Sequence, residues 1–362
     1  MTPSHFVYTV CQVGAEKALK EEMARIQPEL RFAFSRPGFV TFKMPEGKPA
    51  DGAWNPGSVF ARSYGVSLGK GTDITNQLHA LHGHAGSKLR LHVWERDQHL
   101  PGDEPPDFEQ GPAAEALEAR LRREYPGVFL DGAQAHEGET VFDVVLIERE
   151  SADHPAEIWW GWHMHTKGRS PFPGARPPLV QPPEAPSRAW LKLEEMNHWL
   201  GGPLRAGDIA VEVGSAPGGM THAMLERGLK VVGIDPGRMD ERVMAHPRFI
   251  HIAEPVNAVL RERLPDEIDW ILLDMNVKPD ISLFAIDRLV SRVGDELLGV
   301  LLTVKLNDWK YAREIPSMVR HVQAMGLKHV RAAQLASHRR EIAIGGLTRR
   351  GMMRLGMRLS QE

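Results

Sequence analysis

Ile209-Ala-Val-Glu-Val-Gly-Ser-Ala-Pro-Gly-Gly-Met-Thr-His-Ala-Met-Leu225, followed by Lys230-Val-Val-Gly-Ile-Asp235, decides how the chain is read. Ile209, Val211 and Val213 are β-branched and alternate as a strand does. Gly214 to Gly219 breaks that pattern, and helical spacing resumes from His222 to Arg227 until Gly228 stops it. Val231 to Ile234 is a second strand that ends on Asp235. Strand, glycine-rich turn, helix and strand make one unit of a doubly wound α/β sheet. A carboxylate at the tip of the second strand is placed to accept hydrogen bonds from the two hydroxyls of a ribose. The turn glycines Gly214, Gly218 and Gly219 lack a Cβ and let the backbone approach a ligand closely.

The G-x-G-x-x-G spacing of dinucleotide sites is absent. Pro217 also removes a backbone donor that a pyrophosphate would use at the helix N-terminus. An adenosine joined to an amino acid through a sulfonium has no phosphate to cradle. The residues therefore favour S-adenosylmethionine over NAD, with Ser187 and Glu212 flanking the turn. The bland alternative is a tight turn with no ligand.

The chain has 362 residues, enough for two or three domains with their own cores. A net charge of −3 gives no overall affinity for nucleic acid, although local bias can hide beneath it. The single cysteine, Cys11, cannot form an internal disulfide, and no Cys/His spacing suits a metal. No apolar run reaches membrane-spanning length and Met1 to Leu30 lacks a signal-peptide pattern, so a cytoplasmic protein off the membrane is expected. Oligomeric state is not legible.

Residues 1–80 read as a small α+β unit with a ferredoxin-like β-α-β-β tendency, its strands at Phe6–Val10, Phe39–Lys43 and Val59–Leu68. Residues 81–166 form a second unit, with an acid- and proline-rich loop from Leu100 to Pro112. Its strand around Trp159, Trp160 and Trp162 puts Trp160 and Trp162 on one face and Trp159 on the other. Those rings suit core packing, or stacking on bases. Residues 167–186 are proline-rich and carry Lys167, Arg169 and Arg176, which fits a spacer or a basic strap beside an RNA path. Residues 187–348 are the core α/β domain, with Ser187 as N-cap of its first helix. Residues 349–362 form a basic tail with Arg349, Arg350, Arg354 and Arg358, read as partly disordered.

Four ionisable residues stand near the ends of core elements: Lys192 in the first helix, Asp274 and Lys305 ending strands, and Glu341 opening the last strand. Ligands bind at the carboxyl ends of parallel strands in open α/β sheets, so Asp274 and Lys305 project towards the crevice at Gly214–Gly219. Lys305 either reaches solvent or acts as a general base. An ordinary lysine titrates near ~10.4. Desolvation and the nearby Lys192 would lower that value while Asp274 and Glu341 oppose the drop, and the sequence leaves the balance open.

Taken together, Ser187-Arg-Ala-Trp-Leu-Lys-Leu-Glu-Glu195, Glu212-Val-Gly-Ser-Ala-Pro-Gly-Gly219, Asp274-Met, Thr303-Val-Lys305 and Arg340-Glu341 resemble the FtsJ-type RNA 2′-O-ribose methyltransferases. Their catalytic set is lysine–aspartate–lysine–glutamate in this chain order. Cys11-Gln-Val-Gly-Ala-Glu16, Phe60-Ala-Arg62 and Ser170-Pro-Phe172 resemble the RlmM branch, which methylates a cytidine ribose of bacterial large-subunit ribosomal RNA. The resemblance implies a Rossmann-like S-adenosylmethionine methyltransferase domain preceded by ferredoxin-like and THUMP RNA-binding units. It makes Lys305 the proton acceptor, with Lys192, Asp274 and Glu341 completing the set. It makes Ser187, Ala216 to Gly219, Asp235 and Asp274 cofactor contacts. Glu212 stands where an aspartate is usual, and Glu254 in Ala253-Glu-Pro255 is the nearest acid for the adenine. The competing readings are a base methyltransferase and an RNA-binding protein that keeps the fold without catalysis. Asp274-Met-Asn-Val277 lacks the Asn/Asp-Pro-Pro-Tyr type tetrapeptide of the former.

Overall fold

The structure, a computed structural model, describes residues 4–97, 110–148, 157–293 and 296–357. The acidic loop from Leu100 and the end of the basic tail, Arg358 included, lie outside them. The chain divides into two compact units, Met1–Pro178 and Leu179–Glu362.

The first unit runs β1 (Phe6–Val10), α1 (Glu16–Ile26), β2 (Arg31–Arg36), β3 (Phe39–Lys43), β4 (Ser63–Gly71), α2 (Thr75–Ala85), β5 (Arg90–Glu95), α3 (Pro112–Glu124), β6 (Thr140–Glu148) and β7 (Glu157–Met164). All seven strands join one sheet in the order β2-β3-β1-β4-β7-β6-β5. The border expected at residue 80 falls within α2, and β4 pairs with β7 across it. The strand expected from Val59 starts later, at Ser63, because Ser58 and Val59 are held by the buried Glu22 carboxylate outside the ladder.

Period-two alternation gives this sheet two apolar faces. Trp160 and Trp162 pack with Leu78, Leu81, Leu117 and Leu121 of α2 and α3. Trp159 turns the other way, into a cluster with Tyr8, Val10, Phe39 and Trp94. All three indoles are buried, so the core reading holds.

The proline-rich segment after β7 lies against that second face. Gly174 sits so close to Trp94 that a Cβ there would come within 2.8 Å of the indole. Arg169 stacks 4.0 Å from the Tyr64 ring centre and donates to the carbonyls of Tyr64 and Trp54. Arg176 pairs with Asp97, and Lys167 with Glu137 at 3.4 Å. Arg169 and Arg176 are thus engaged within the unit, while Lys167 stays exposed.

The second unit runs α4 (Ala189–Trp199), β8 (Ile209–Val213), α5 (Gly219–Glu226), β9 (Lys230–Ile234), α6 (Glu241–Met244), β10 (Phe249–Ile252), β11 (Trp270–Asp274), α7 (Pro279–Val293), β12 (Gly299–Lys305), α8 (Ile315–Ala324), β13 (His329–Ala333), β14 (Glu341–Leu347) and α9 (Arg349–Arg354). Its sheet order is β10-β9-β8-β11-β12-β14-β13. The first five strands are parallel, and β14 enters antiparallel between β12 and β13. This is a Rossmann-like, doubly wound arrangement closed at one edge by an antiparallel pair. The parallel strands are nearly continuous apolar runs because helices cover both faces. Trp270, Leu272 and Leu301 are fully buried among α4 and α5 residues such as Leu193, Met196, Met220 and Met224.

Strand order reverses between β8 and β11, which opens a crevice at their carboxyl ends. The expected disordered tail begins instead as α9, capped by the Thr348 hydroxyl. Arg354 of α9 ion-pairs with the buried Asp208, and Asp208 also accepts from the Trp270 indole. A buried carboxylate with two such donors fixes a helix that composition alone reads as solvated tail.

Candidate active site

Four side chains meet at the carboxyl end of the second sheet. β12 and β14 pair so that Lys305 lies directly opposite Glu341. β11 ends beside β12 on Asp274, and α4 delivers Lys192 from above the strand ends. Lys305 Nζ is 3.0 Å from Glu341 Oε2 and 3.2 Å from Asp274 Oδ1. Lys192 Nζ is 2.8 Å from Glu341 Oε1 and 3.0 Å from Asp274 Oδ2. Two ammonium groups and two carboxylates therefore alternate in a closed, nearly buried ring. Its charges cancel, which is what makes burying four of them tolerable.

The ring settles the balance that the sequence leaves open. Burial pulls Lys305 down, but Asp274 and Glu341 outweigh it and hold the ammonium above its usual range. Lys192, expected to lower Lys305, is itself occupied by the same two carboxylates. Burial pushes Glu341 up, yet Lys192 and Lys305 hold it well below the usual carboxylate range. In this state Lys305 holds its proton.

Sequence reasoning missed two residues behind the ring. Glu195 is buried on α4, three residues after Lys192 and so on the same helix face. Its two oxygens accept the backbone N–H groups of Ala336 and Ser337 at 2.8 and 2.7 Å. That anchors the turn leading into Glu341. A glutamate one turn from Lys192, on the same helix face, is the signal that was available. His338 is fully buried in the same turn. Its Nδ1 accepts from the Leu335 N–H at 3.3 Å, and burial, opposed by Glu341, pushes its pKa down to about 3. It is a neutral ring beside four charges.

Next to Asp274 a cleft of about 590 Å³ opens at the switch point. Gly214, Ala216, Asp235 and Asp274 line it together with apolar Val256, Ile281 and Phe284. Gly214 has φ +83° and passes so close to β11 that a Cβ would stand 2.7 Å from the Asp274 carbonyl oxygen. Asp235 accepts from the N–H groups of Ala216 and Gly237 at 3.2 and 2.6 Å, which ties the turn to the tip of β9. Gly218 and Gly219 begin α5, and a Cβ on Gly219 would meet the Ser187 hydroxyl at 2.2 Å. Ser187 acts one residue earlier than expected, with Arg188 as the helix N-cap and the Ser187 hydroxyl accepting from Ala189 N–H. A mostly apolar cleft with a carboxylate at a strand tip fits an adenosine cofactor without phosphates.

Six expected cofactor contacts, Ser187, Glu212, Pro217, Gly218, Gly219 and Glu254, are not among the cleft-lining residues. Glu212 is buried on β8 and accepts from the Thr221 hydroxyl, with burial raising its pKa well above the usual value. It braces α5 from behind the turn. Glu254 ion-pairs with Arg263 at 2.9 Å, and the following Pro255, Val256 and Asn257 line the cleft instead. Within the Gly214–Gly219 turn the Ala216–Pro217 peptide is cis.

Residues 185–309 match the profile of the FtsJ-like methyltransferases. The ribosomal RNA large subunit methyltransferase M of Sodalis glossinidius is 31% identical over 192 residues, covering 50% of this chain and 52% of that protein. The protein of the same name from Alkalilimnicola ehrlichii is 34% identical over 182 residues, covering 48% and 49%. The chain spans about half the length of the curated relatives it matches. Among solved structures, TrmN from Thermus thermophilus aligns over 94% of this chain and 99% of its own, at 15% identity and a TM-score of 0.35. The matched stretch contains Lys192, Asp274 and Lys305 of the ring and every residue that lines the cleft, while Glu341 lies beyond it.

Proposed function

We propose that this chain is an S-adenosylmethionine-dependent RNA 2′-O-ribose methyltransferase acting on a cytidine of large-subunit ribosomal RNA, with its first unit, ferredoxin-like and THUMP-like, holding the RNA. One observation carries the reading: the alternating ring of Lys192, Asp274, Lys305 and Glu341 beside a phosphate-free adenosine cleft. The cofactor supplies an electrophilic methyl group on its sulfonium when bound. Gly214, Ala216 and Asp235 hold the adenosine side, and Asp274 borders both cleft and ring.

Lys305 does the proton work. It first releases its own proton to solvent, then accepts the proton of the 2′-hydroxyl as that oxygen takes the methyl, and ends as the ammonium again. Asp274 and Glu341 aim Nζ throughout. Lys192 contacts both carboxylates, so neither is left as an unpaired buried charge while Lys305 is neutral. The names of the relatives support ribosomal RNA as substrate, and Asp274-Met-Asn-Val277 disfavours a base methyltransferase.

The direct test is methyl transfer from labelled cofactor to unmodified large-subunit RNA, followed by nucleoside mass spectrometry. Label on a cytidine ribose is the expected result. Label on a base would overturn the chemistry. Tight cofactor binding without transfer to any RNA would favour the binding-protein reading.

A further inference from the structure

With Arg169 and Arg176 of the strap engaged internally, the sheet edge offers a separate surface for an RNA contact. β2 is the end strand of its sheet, so its outer edge has no neighbouring strand among the described residues. Natural edge strands are commonly guarded by charge. Arg31 and Arg36 do that here, but the strand also exposes a ring, because Phe32 is 55% accessible. The register slips between Phe32 and Phe34, with Ala33 as the extra residue, so the two rings turn to opposite faces of the sheet. Lys20 lies 4.9 Å from the Phe32 ring centre on one face. On the other face Phe34 stacks on Trp159 at 5.5 Å and is covered by Arg36 and by Lys70, which is ion-paired with Glu157, so that ring is already occupied.

Arg31 stands directly opposite Lys43 in the β2/β3 ladder, and no ion pair to either is found among the described residues. Like charges directly across a ladder repel. An external anion between them would relieve that repulsion. An exposed ring beside a cation, with a bare like-charge pair alongside, matches the two requirements of single-stranded nucleic acid: an aromatic face for a base and cations for the backbone.

We propose that the β2 edge is a docking surface for single-stranded RNA. Arg31 and Lys43 would contact phosphates, and Phe32 would stack a base. This rests on the reading of the chain as an RNA enzyme and adds where the strand is held.

The full chain would be titrated with a fluorescent, unstructured pyrimidine-rich RNA at several salt concentrations. Arg31→Glu/Lys43→Glu is expected to weaken binding at least tenfold and to reduce the slope of log affinity against log salt by about 1.4, since each lost single-strand contact contributes about 0.7. Phe32→Ser is expected to weaken binding several-fold with the slope unchanged. Both variants replace exposed side chains, and circular dichroism would verify that they fold. Wild-type affinity and slope in both variants, or no RNA binding by the wild type, would overturn the proposal. So would a wild-type dimer that the variants dissociate without any change in RNA affinity, since the edge would then pair with a second copy. The assay needs no methyl transfer. Edge-dependent binding without ribose methylation would sink the enzymatic reading alone, and ribose methylation with edge-independent binding would sink this one alone.

Discussion

Lys305 and Glu341 face each other across an antiparallel strand pair, Nζ 3.0 Å from Oε2, while Lys192 grips the other glutamate oxygen at 2.8 Å. That geometry loads the base rather than freeing it. Burial alone would lower Lys305, but the two carboxylates raise it further than burial lowers it.

A loaded base gives a rate that climbs with pH. The neutral fraction of Lys305 grows tenfold per pH unit below its pKa, so log kcat at saturating substrates should rise with a slope of about 1 from roughly pH 7 to 9. Single-turnover kinetics across that range would check this. A plateau beginning at neutral pH would mean that substrate binding frees the amine.

Glu195 should act on the reaction without touching it. Glu195→Ala strips two N–H groups of a buried acceptor and loosens the turn that ends in Glu341. A loss of roughly 2–3 kcal/mol in stability is expected for charged hydrogen bonds of this kind. As a positioning residue it should lower kcat at least tenfold while cofactor affinity, measured by calorimetry, stays at the wild-type value. Equal losses in both would show a general collapse of the site.

Asp235 should matter for the cofactor alone. Asp235→Ala removes the carboxylate at the strand tip and the acceptor for Ala216 and Gly237. Affinity for S-adenosylhomocysteine should fall at least tenfold, or about 1.4 kcal/mol. The acidic Glu254→Ala, outside the cleft lining, should leave that affinity unchanged.

Acid should unfold the protein through its histidines first. His338 and His165 are pushed down to about 3 and about 4 by burial, so the folded chain keeps them neutral. Below the ordinary histidine pKa of about 6.5 the unfolded chain takes up protons that the folded chain does not, and stability is lost as pH falls. Carboxylates such as Glu341, whose folded value is depressed, add to the loss only once pH nears about 4.3, the unfolded glutamate value. Urea unfolding between these limits should therefore show a slope that His338→Gln reduces. An unchanged slope would mean that the ring is hydrated and titrates normally.

The catalytic fold was legible because its signals are local. β-Branched runs, the glycine turn and Asp235 each announce themselves within a few residues, and the strands Ile209–Val213 and Lys230–Ile234 match their expected bounds closely. Lys192, Asp274, Lys305 and Glu341 were legible as residue types in order, and the structure brings all four together. What could not be read is set by long-range pairing. The sign of the Lys305 shift depends on which charges close around it. Glu254 sits outside the cleft lining, paired with Arg263. The single sheet of the first unit depends on β4 meeting β7 across more than eighty residues of chain. Arg176 in the strap and Arg350 and Arg354 in the tail misled for one reason: composition counts charges, and Asp97, Glu296 and Asp208 had already paired them.

The central claim is that Lys305 takes the ribose proton, and Lys305→Ala tests it most directly. Variant and wild type would be incubated with labelled S-adenosylmethionine and unmodified large-subunit RNA, and the products mapped by mass spectrometry, with cofactor and RNA binding measured alongside. The account predicts a cytidine 2′-O-methyl group from the wild type and none from the variant, with both ligands still bound. Ribose methylation by Lys305→Ala at the wild-type rate would contradict it.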